Sequence, residues 1–137
     1  MNEDAAIYEG TMLESLGARQ IEMTADRVVM ELDIGPAVYQ PMGILHGGAS
    51  CALAESAGSM GAFMNCDPES EFAVGIELNI SHLKSKRDGV LRATAVPIRK
   101  GRSVHVWGID LTDEGDDLVA TARLTVLIRK WDSQKGA

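Results

Sequence analysis

The apolar positions divide the chain into a strand-rich frame around one long helix. Ile7, Met12, Leu13 and Leu16 fall at helical spacing and stop at Gly17, which predicts a helix within the first 16 residues. Residues 18–34 read as two short strands broken near Thr24–Asp26, the second carrying Val28, Met30, Leu32 and Ile34 on one face. Pro36, Pro41 and Gly43 make 35–45 irregular. Phe72, Val74, Ile76, Leu78 and Ile80 alternate without a break, Val90 to Ile98 alternates likewise, and Ser103 to Leu111 follows. Leu118, Ala120, Ala122, Leu124, Val126 and Ile128 close the set. Turn signals at Arg87-Asp88-Gly89, Lys100-Gly101 and Asp113–Asp116 imply antiparallel hairpins. The expected fold is α+β, one layer on one layer, in a single domain over 1–137 with no repeat or linker.

Residues 46–65 differ from the rest. They contain no Lys or Arg, a single acid at Glu55, and otherwise small or apolar residues, a composition that predicts a helix buried nearly all round. Asp67-Pro68 ends it. A carboxylate inside such a helix is costly unless it is paired, and no Lys or Arg occurs from residue 28 to residue 83. Glu55 is therefore a candidate base or nucleophile, the bland alternative being an exposed helical stripe. His46-Gly47-Gly48 opens the helix, where free backbone N–H groups can hold an anion or a developing oxyanion. The bland reading of the two glycines is tight packing alone.

Eight residues separate Gly47 from Glu55, about 12 Å along a helix axis. A nucleophile and its oxyanion donor must both lie about 3 Å from one carbonyl, so one helix cannot supply both. Two antiparallel copies can. If both residues act, the protein is at least a two-fold dimer with two equivalent sites. Ser59 lies one turn beyond Glu55 and Cys51 one turn before it; Ser59 can hold the carboxylate or a water, or bond back to its own helix.

Composition narrows the class. Apolar residues make up 45% and charged residues 24%, an ordinary globular balance. Thirteen Lys+Arg against 20 Asp+Glu give a net charge of −7, which argues against nucleic-acid binding. No apolar run reaches the roughly 20 residues of a membrane span. The acidic start Met-Asn-Glu-Asp is unlike a signal peptide, and Cys51 and Cys66 form no framework, so a cytoplasmic protein with two free thiols is expected. Three His and two Cys match no zinc spacing, and Asp113–Asp117 lacks the ligand alternation of a calcium loop, so no metal is expected. Ala57-Gly58-Ser59-Met60-Gly61 imitates a nucleophile elbow, but it lies mid-helix in too short a chain.

The string Gln40-Pro41-Met42-Gly43-Ile44-Leu45-His46-Gly47-Gly48, followed after six residues by Glu55-x-x-x-Ser59, resembles the signature of hotdog-fold acyl-CoA thioesterases. It is most similar to the branch with a helix-borne Glu: Arthrobacter-type 4-hydroxybenzoyl-CoA, phenylacetate-pathway and 1,4-dihydroxy-2-naphthoyl-CoA thioesterases. Val74 to Asn79, His82, the Gly101 turn and Trp107 extend the resemblance along most of the chain. It implies a bent antiparallel sheet wrapped around a long central helix, dimers joined edge to edge, commonly tetramers, and no cofactor beyond the CoA of the substrate. It also implies roles. Glu55 would attack the thioester carbonyl or activate water, and Gly47 N–H would polarise the carbonyl oxygen. Gln40 and Ser59 would assist at the carbonyl and the carboxylate, His46 at the thioester end, and His82 near the mouth of the site.

Seven of the 13 basic residues lie between 84 and 102, a place for CoA phosphates against an acidic background. The resemblance selects Lys84, Ser85, Gly101, Arg102 and Ser103 there. Tyr39, Met42, Met60, Phe63 and Met64 are adaptable liners for an acyl group, and the resemblance favours an aromatic one. Other readings are a hydratase acting on acyl thioesters, a non-catalytic acyl-CoA-binding module, and a thioesterase whose substrate is carried on a protein.

Overall fold

The structure is a computed structural model that describes residues 6–132. Six antiparallel strands form one sheet: β1 (Arg19–Met23), β2 (Val28–Asp33), β3 (Glu71–His82), β4 (Val90–Lys100), β5 (Val104–Thr112) and β6 (Leu118–Lys130), in spatial order β1-β2-β4-β5-β6-β3. The helix α2 (Gly47–Phe63) lies across one face and contacts β2, β3, β4, β5 and β6. Met30, Leu32, Leu91, Ile109, Leu111, Leu124 and Trp107, all fully buried, fill the space between the layers. No helix among the described residues is long and apolar enough to cross a membrane.

Among the described residues the predicted N-terminal helix is interrupted: Ala6 is helical, residues 7–10 turn, and a short helix follows. Within the described part of that stretch only α1 (Met12–Ser15) forms a named helix, because Gly10 takes φ +72 and interrupts the pattern. Residues 1–5 lie outside the described residues. Gly17, at φ +69, ends the helix as expected: its N–H bonds the Glu14 carbonyl and Ala18 N–H bonds that of Leu13, a Schellman stop. The Thr24–Asp26 break is the β1–β2 hairpin, with Thr24 Oγ1 accepting from Arg27 N–H at 2.9 Å. Lys100-Gly101 and Asp113–Asp117 also turn hairpins. Arg87-Asp88-Gly89 does not. There the chain leaves edge strand β3 for interior strand β4, which pairs with β2 and β5, so the turn chemistry bends the chain without pairing its flanks.

The helix is not buried all round. Ala49, Ser50, Leu53, Ala54, Ala57, Gly58, Gly61 and Ala62 face the sheet, and the opposite stripe, including Glu55 and Phe63, is exposed in the single chain. A two-layer protomer covers only one helix face, and small residues on both faces hide which one it is. The glycines of the packed face bring the layers close: a Cβ on Gly61 would lie 2.5 Å from the Trp107 ring, and one on Gly58 2.7 Å from Leu124.

The alternation of β3 is also broken. Its register against β6 shifts between Gly75 and Glu77, a β-bulge. Before it, Ala73 and Gly75 sit opposite Ile128 and Val126; after it, Leu78, Ile80 and His82 sit opposite Leu124, Ala122 and Ala120. These partners belong to the core or pack on it, so the inward set changes from odd to even numbers. Phe72 pairs across from Arg129, off the inward set, and stacks on Trp131 with ring centroids 4.4 Å apart.

Candidate active site

The start of α2 is capped by its own sequence. His46 is the N-cap, and its Nδ1 accepts the Gly48 N–H at 2.7 Å, which places the ring proton of the neutral imidazole on Nε2. Ala49 and Ser50 N–H groups return to the His46 carbonyl at 3.0 and 3.4 Å. Gly47 N–H makes no hydrogen bond among the described residues. Gly47 lines a cleft of about 310 Å³ with Gln40, Ser50, His82, Lys84 and Ser85. Neither glycine takes a left-handed backbone; a Cβ on Gly47 would lie 2.9 Å from His82 Nε2, at the movable end of that side chain, and one on Gly48 2.8 Å from His46 Nδ1.

Gln40 enters the cleft from a tight loop. Gly43, at φ +72, donates to the Gln40 carbonyl at 2.9 Å, and Gln40 Oε1 accepts the Met42 N–H. A bridge between Tyr39 and Leu45 closes the loop, and His46 N–H bonds the Val38 carbonyl. The carboxamide NH₂ of Gln40 makes no hydrogen bond among the described residues, and Gln40 lines the same cleft as Gly47.

Glu55 lies two turns further along and does not line this cleft. Its carboxylate rests over Gly75 of β3 and has no hydrogen bond or ion pair among the described residues. Ser59 Oγ likewise has none; the hydroxyl that bonds back to the helix is that of Ser56, on the Ala52 carbonyl at 2.7 Å. Burial, then the neighbouring Glu55, pushes the Cys51 thiol up, so a thiolate is disfavoured there. Cys51 and Cys66 are both free.

The expected pocket liners do not converge in one protomer. Met60 packs toward the N-terminal segment, where Tyr8 Oη points at its sulfur at 3.8 Å. Phe63 and Met64 are exposed at the end of α2, and Met42 is exposed at its loop. Tyr39 is tied by its hydroxyl to the Arg87 carbonyl.

The basic cluster divides. Lys84 is held by Asp113 at 2.6 Å and Asp117 at 2.9 Å, and Lys86 by Asp113 at 3.3 Å and Glu114 at 2.8 Å. Asp113 is itself buried and accepts the Gly115 and Asp117 N–H groups. The Lys84 ammonium and these N–H donors hold its carboxyl well below the usual range, and Asp113 in turn raises Lys84. The Lys84 charge, expected to be open for phosphate, is therefore already matched. Arg102 and Ser103 line a separate hollow of about 330 Å³ with Glu71 and Lys130. Gly101 lies against the Val104 carbonyl oxygen, 2.5 Å from where a Cβ would be. This hollow is at the Glu71 end of β3, and Lys84 follows its His82 end, roughly 35 Å away along the strand.

Sequence reasoning passed over Ser50. It is 1% exposed and lines the cleft three residues after Gly47, on the same helix face. That spacing was the available signal. Gly75, placed against Glu55, was also missed, because nothing in an alternating strand marks a bulge. His105 is buried at 3.4 Å from Trp107 Nε1 and belongs to the core. Among the described residues no three His, Cys, Asp or Glu side chains gather as metal ligands.

Comparison with known proteins identifies the family. The profile of the thioesterase superfamily matches residues 42–120. A 1,4-dihydroxy-2-naphthoyl-CoA hydrolase of Listeria monocytogenes is 39% identical over 117 residues, 85% of this chain and 94% of that one. One of the same name from Escherichia coli is 36% identical over 123 residues, 90% of each chain. The solved structure of a mutant thioesterase from Pseudomonas aeruginosa superposes with a TM-score of 0.89 at 33% identity, covering 93% of this chain and 91% of that one. A profile over more than half of the chain, and relatives aligned along most of it, lead to one conclusion: the chain belongs to the thioesterase superfamily and is a hotdog-fold thioester hydrolase.

Proposed function

We propose that this protein, as one hotdog domain, hydrolyses a small aromatic acyl-CoA to the free acid and CoA. The observation that carries the reading is the Gly47 N–H, open at the start of α2 and facing a cleft shared with Gln40 and His82. A donor so placed stabilises the oxyanion that forms when a thioester carbonyl is attacked. The naphthoyl-CoA hydrolases among the relatives support the aromatic acyl group and the CoA carrier.

Glu55 is the second participant. Its carboxylate either takes a proton from water as the water oxygen bonds to the carbonyl carbon, or attacks that carbon itself to give an anhydride that water opens. In both routes the C–S bond breaks and a proton ends on the CoA sulfur. Ser59 aligns the carboxylate or the water, Gln40 donates to the carbonyl region, and His46 and His82 hold the thioester end. Water, a carboxylate and backbone donors suffice for this chemistry, so we propose no metal or redox cofactor.

The site requires two copies. Glu55 and Gly47 of one helix are about 12 Å apart and cannot meet at one carbonyl. Strand β3 is a 12-residue edge strand with Ile76 57% exposed, an edge suited to pairing with itself. Antiparallel β3–β3 pairing about a two-fold axis carries the Glu71 end of one copy toward the His82 end of the other. That juxtaposes Gly101, Arg102 and Ser103 of one chain with the Lys84–Ser85 wall of its partner. We place the nucleotide phosphates at Arg102 and Ser103, and Phe63 and Met60 on the acyl side. The two free thiols fit a cytoplasmic location, and further association to a tetramer follows the resemblance.

The test is thiol release from benzoyl-, hydroxybenzoyl-, phenylacetyl-, dihydroxynaphthoyl- and aliphatic acyl-CoAs, with wild type beside Glu55→Ala and a no-substrate control for Cys51 and Cys66. Fast release from the aromatic group, lost in Glu55→Ala, is the expected result. Release of aliphatic chains alone overturns the aromatic assignment. CoA esters that bind without turnover turn the reading toward an acyl group on a carrier protein or a binding module.

A further inference from the structure

We propose that Gly75, with the β-bulge beside it, is the positioning residue for the Glu55 carboxylate; this rests on the catalytic role given to Glu55 above. Residues 75 and 82 have opposite parity, so on a regular strand they would face opposite sides of the sheet. The register shift between Gly75 and Glu77 removes that conflict. It turns Gly75 toward α2 opposite Val126, and His82 toward α2 opposite Ala120. One strand thus presents an imidazole to Gly47 and an empty place to Glu55.

The vacancy at Gly75 is specific. A Cβ there would lie 2.7 Å from Glu55 Oε1 and 3.4 Å from its carboxyl carbon. No left-handed backbone requires glycine at this position, so space for the carboxylate is what its hydrogen side chain provides. Were β3 unbroken with Leu78, Ile80 and His82 inward, Ile76 and Val74 would face the helix and crowd the same space.

The collision falls on the free end of a flexible side chain, which moves at little cost, and Leu124 Cδ1 at 3.3 Å has only to give slightly. An added methyl therefore leaves the fold nearly intact while displacing the atom that reacts. Displacements of about 1 Å at a reacting group cost up to ~100-fold in rate.

The experiment compares Gly75→Ala, Glu55→Ala and the double variant in thermal melting and in steady-state hydrolysis of the preferred acyl-CoA. Gly75→Ala is expected to melt within about 4 °C of wild type. Its KM should stay within about twofold while kcat falls by about 10- to 100-fold. In the Glu55→Ala background the same substitution should change the residual rate by less than about twofold, because no carboxylate remains to displace. An unchanged kcat in Gly75→Ala, the same fold-loss in both backgrounds, or a Gly75→Ala protein that does not fold would each overturn the proposal. If Glu55→Ala keeps wild-type turnover, the catalytic reading itself fails, an outcome separate from an inactive Glu55→Ala beside a fully active Gly75→Ala.

Discussion

At the scale of single residues, the His46-Gly47-Gly48 triplet shows how residues without side chains shape a candidate site. Gly48 admits the His46 ring, the ring takes up the Gly48 N–H, and the Gly47 N–H is left for the cleft. Capping and the role proposed for His46 are separable by substitution. His46→Ala should lower the unfolding free energy by about 1 kcal/mol in urea titration, and His46→Asn, itself a good cap, should restore most of it without restoring turnover. His105 gives a pH signature of a different kind. Burial and then the nearby Lys100 hold its pKa below the ordinary 6.5. The folded state thus favours the neutral ring, and its contribution is complete above pH 6.5 and is lost as pH falls through the depressed value. Melting temperature should decline from pH 7 toward pH 5 in wild type, and the decline should be shallower in His105→Gln.

At the scale of elements, α2 and its surroundings set the distance between layers. Gly61 lies directly under the Trp107 ring, so Gly61→Ala overpacks the interface and should cost about 1–3 kcal/mol by chemical denaturation. The β5–β6 turn has a second duty. Asp113 ties its own turn and grips Lys84 and Lys86, whose segment walls the cleft. The depressed Asp113 pKa means that its contribution is present above the ordinary 3.8 and disappears as pH falls through the folded value. Asp113→Asn should therefore lower the urea midpoint at pH 7, and the gap to wild type should close as the solution is taken below pH 3.8. A gap of constant size across that range would mean that the turn, not the charge, supplies the effect.

At the scale of the whole molecule, the edge of β3, unpaired among the described residues, is where the proposed shared site would form. The residues assigned to one carbonyl lie apart in the protomer, and edge pairing is what would join them. A charge on that edge should separate the copies. Ile76→Lys is expected to run as a monomer in light scattering, to keep its far-ultraviolet circular dichroism, and to lose hydrolysis at dilutions where wild type is active. A monomer with full activity would contradict a site shared between subunits.

Period and punctuation in the sequence determined much of this protein: β2 and β6 with their buried faces, the break at Thr24–Asp26, the stop at Gly17 and the two later hairpins are local and readable. So was the spacing from Gln40 to Glu55, because a helix start with its carboxylate two turns on is a property of adjacent residues. Tertiary structure decided the rest. A small-residue helix carries no mark of which face meets the sheet, so the exposure of Glu55 waited for the packing of Ala54, Ala57, Gly58 and Gly61. An alternating run does not announce a bulge, so the inward turn of Gly75 and His82 appeared only in the pairing with β6. Charges clustered along the chain do not name their partners, and Lys84 and Lys86 met theirs 27 to 33 residues away, on a turn that the sheet topology folds against them.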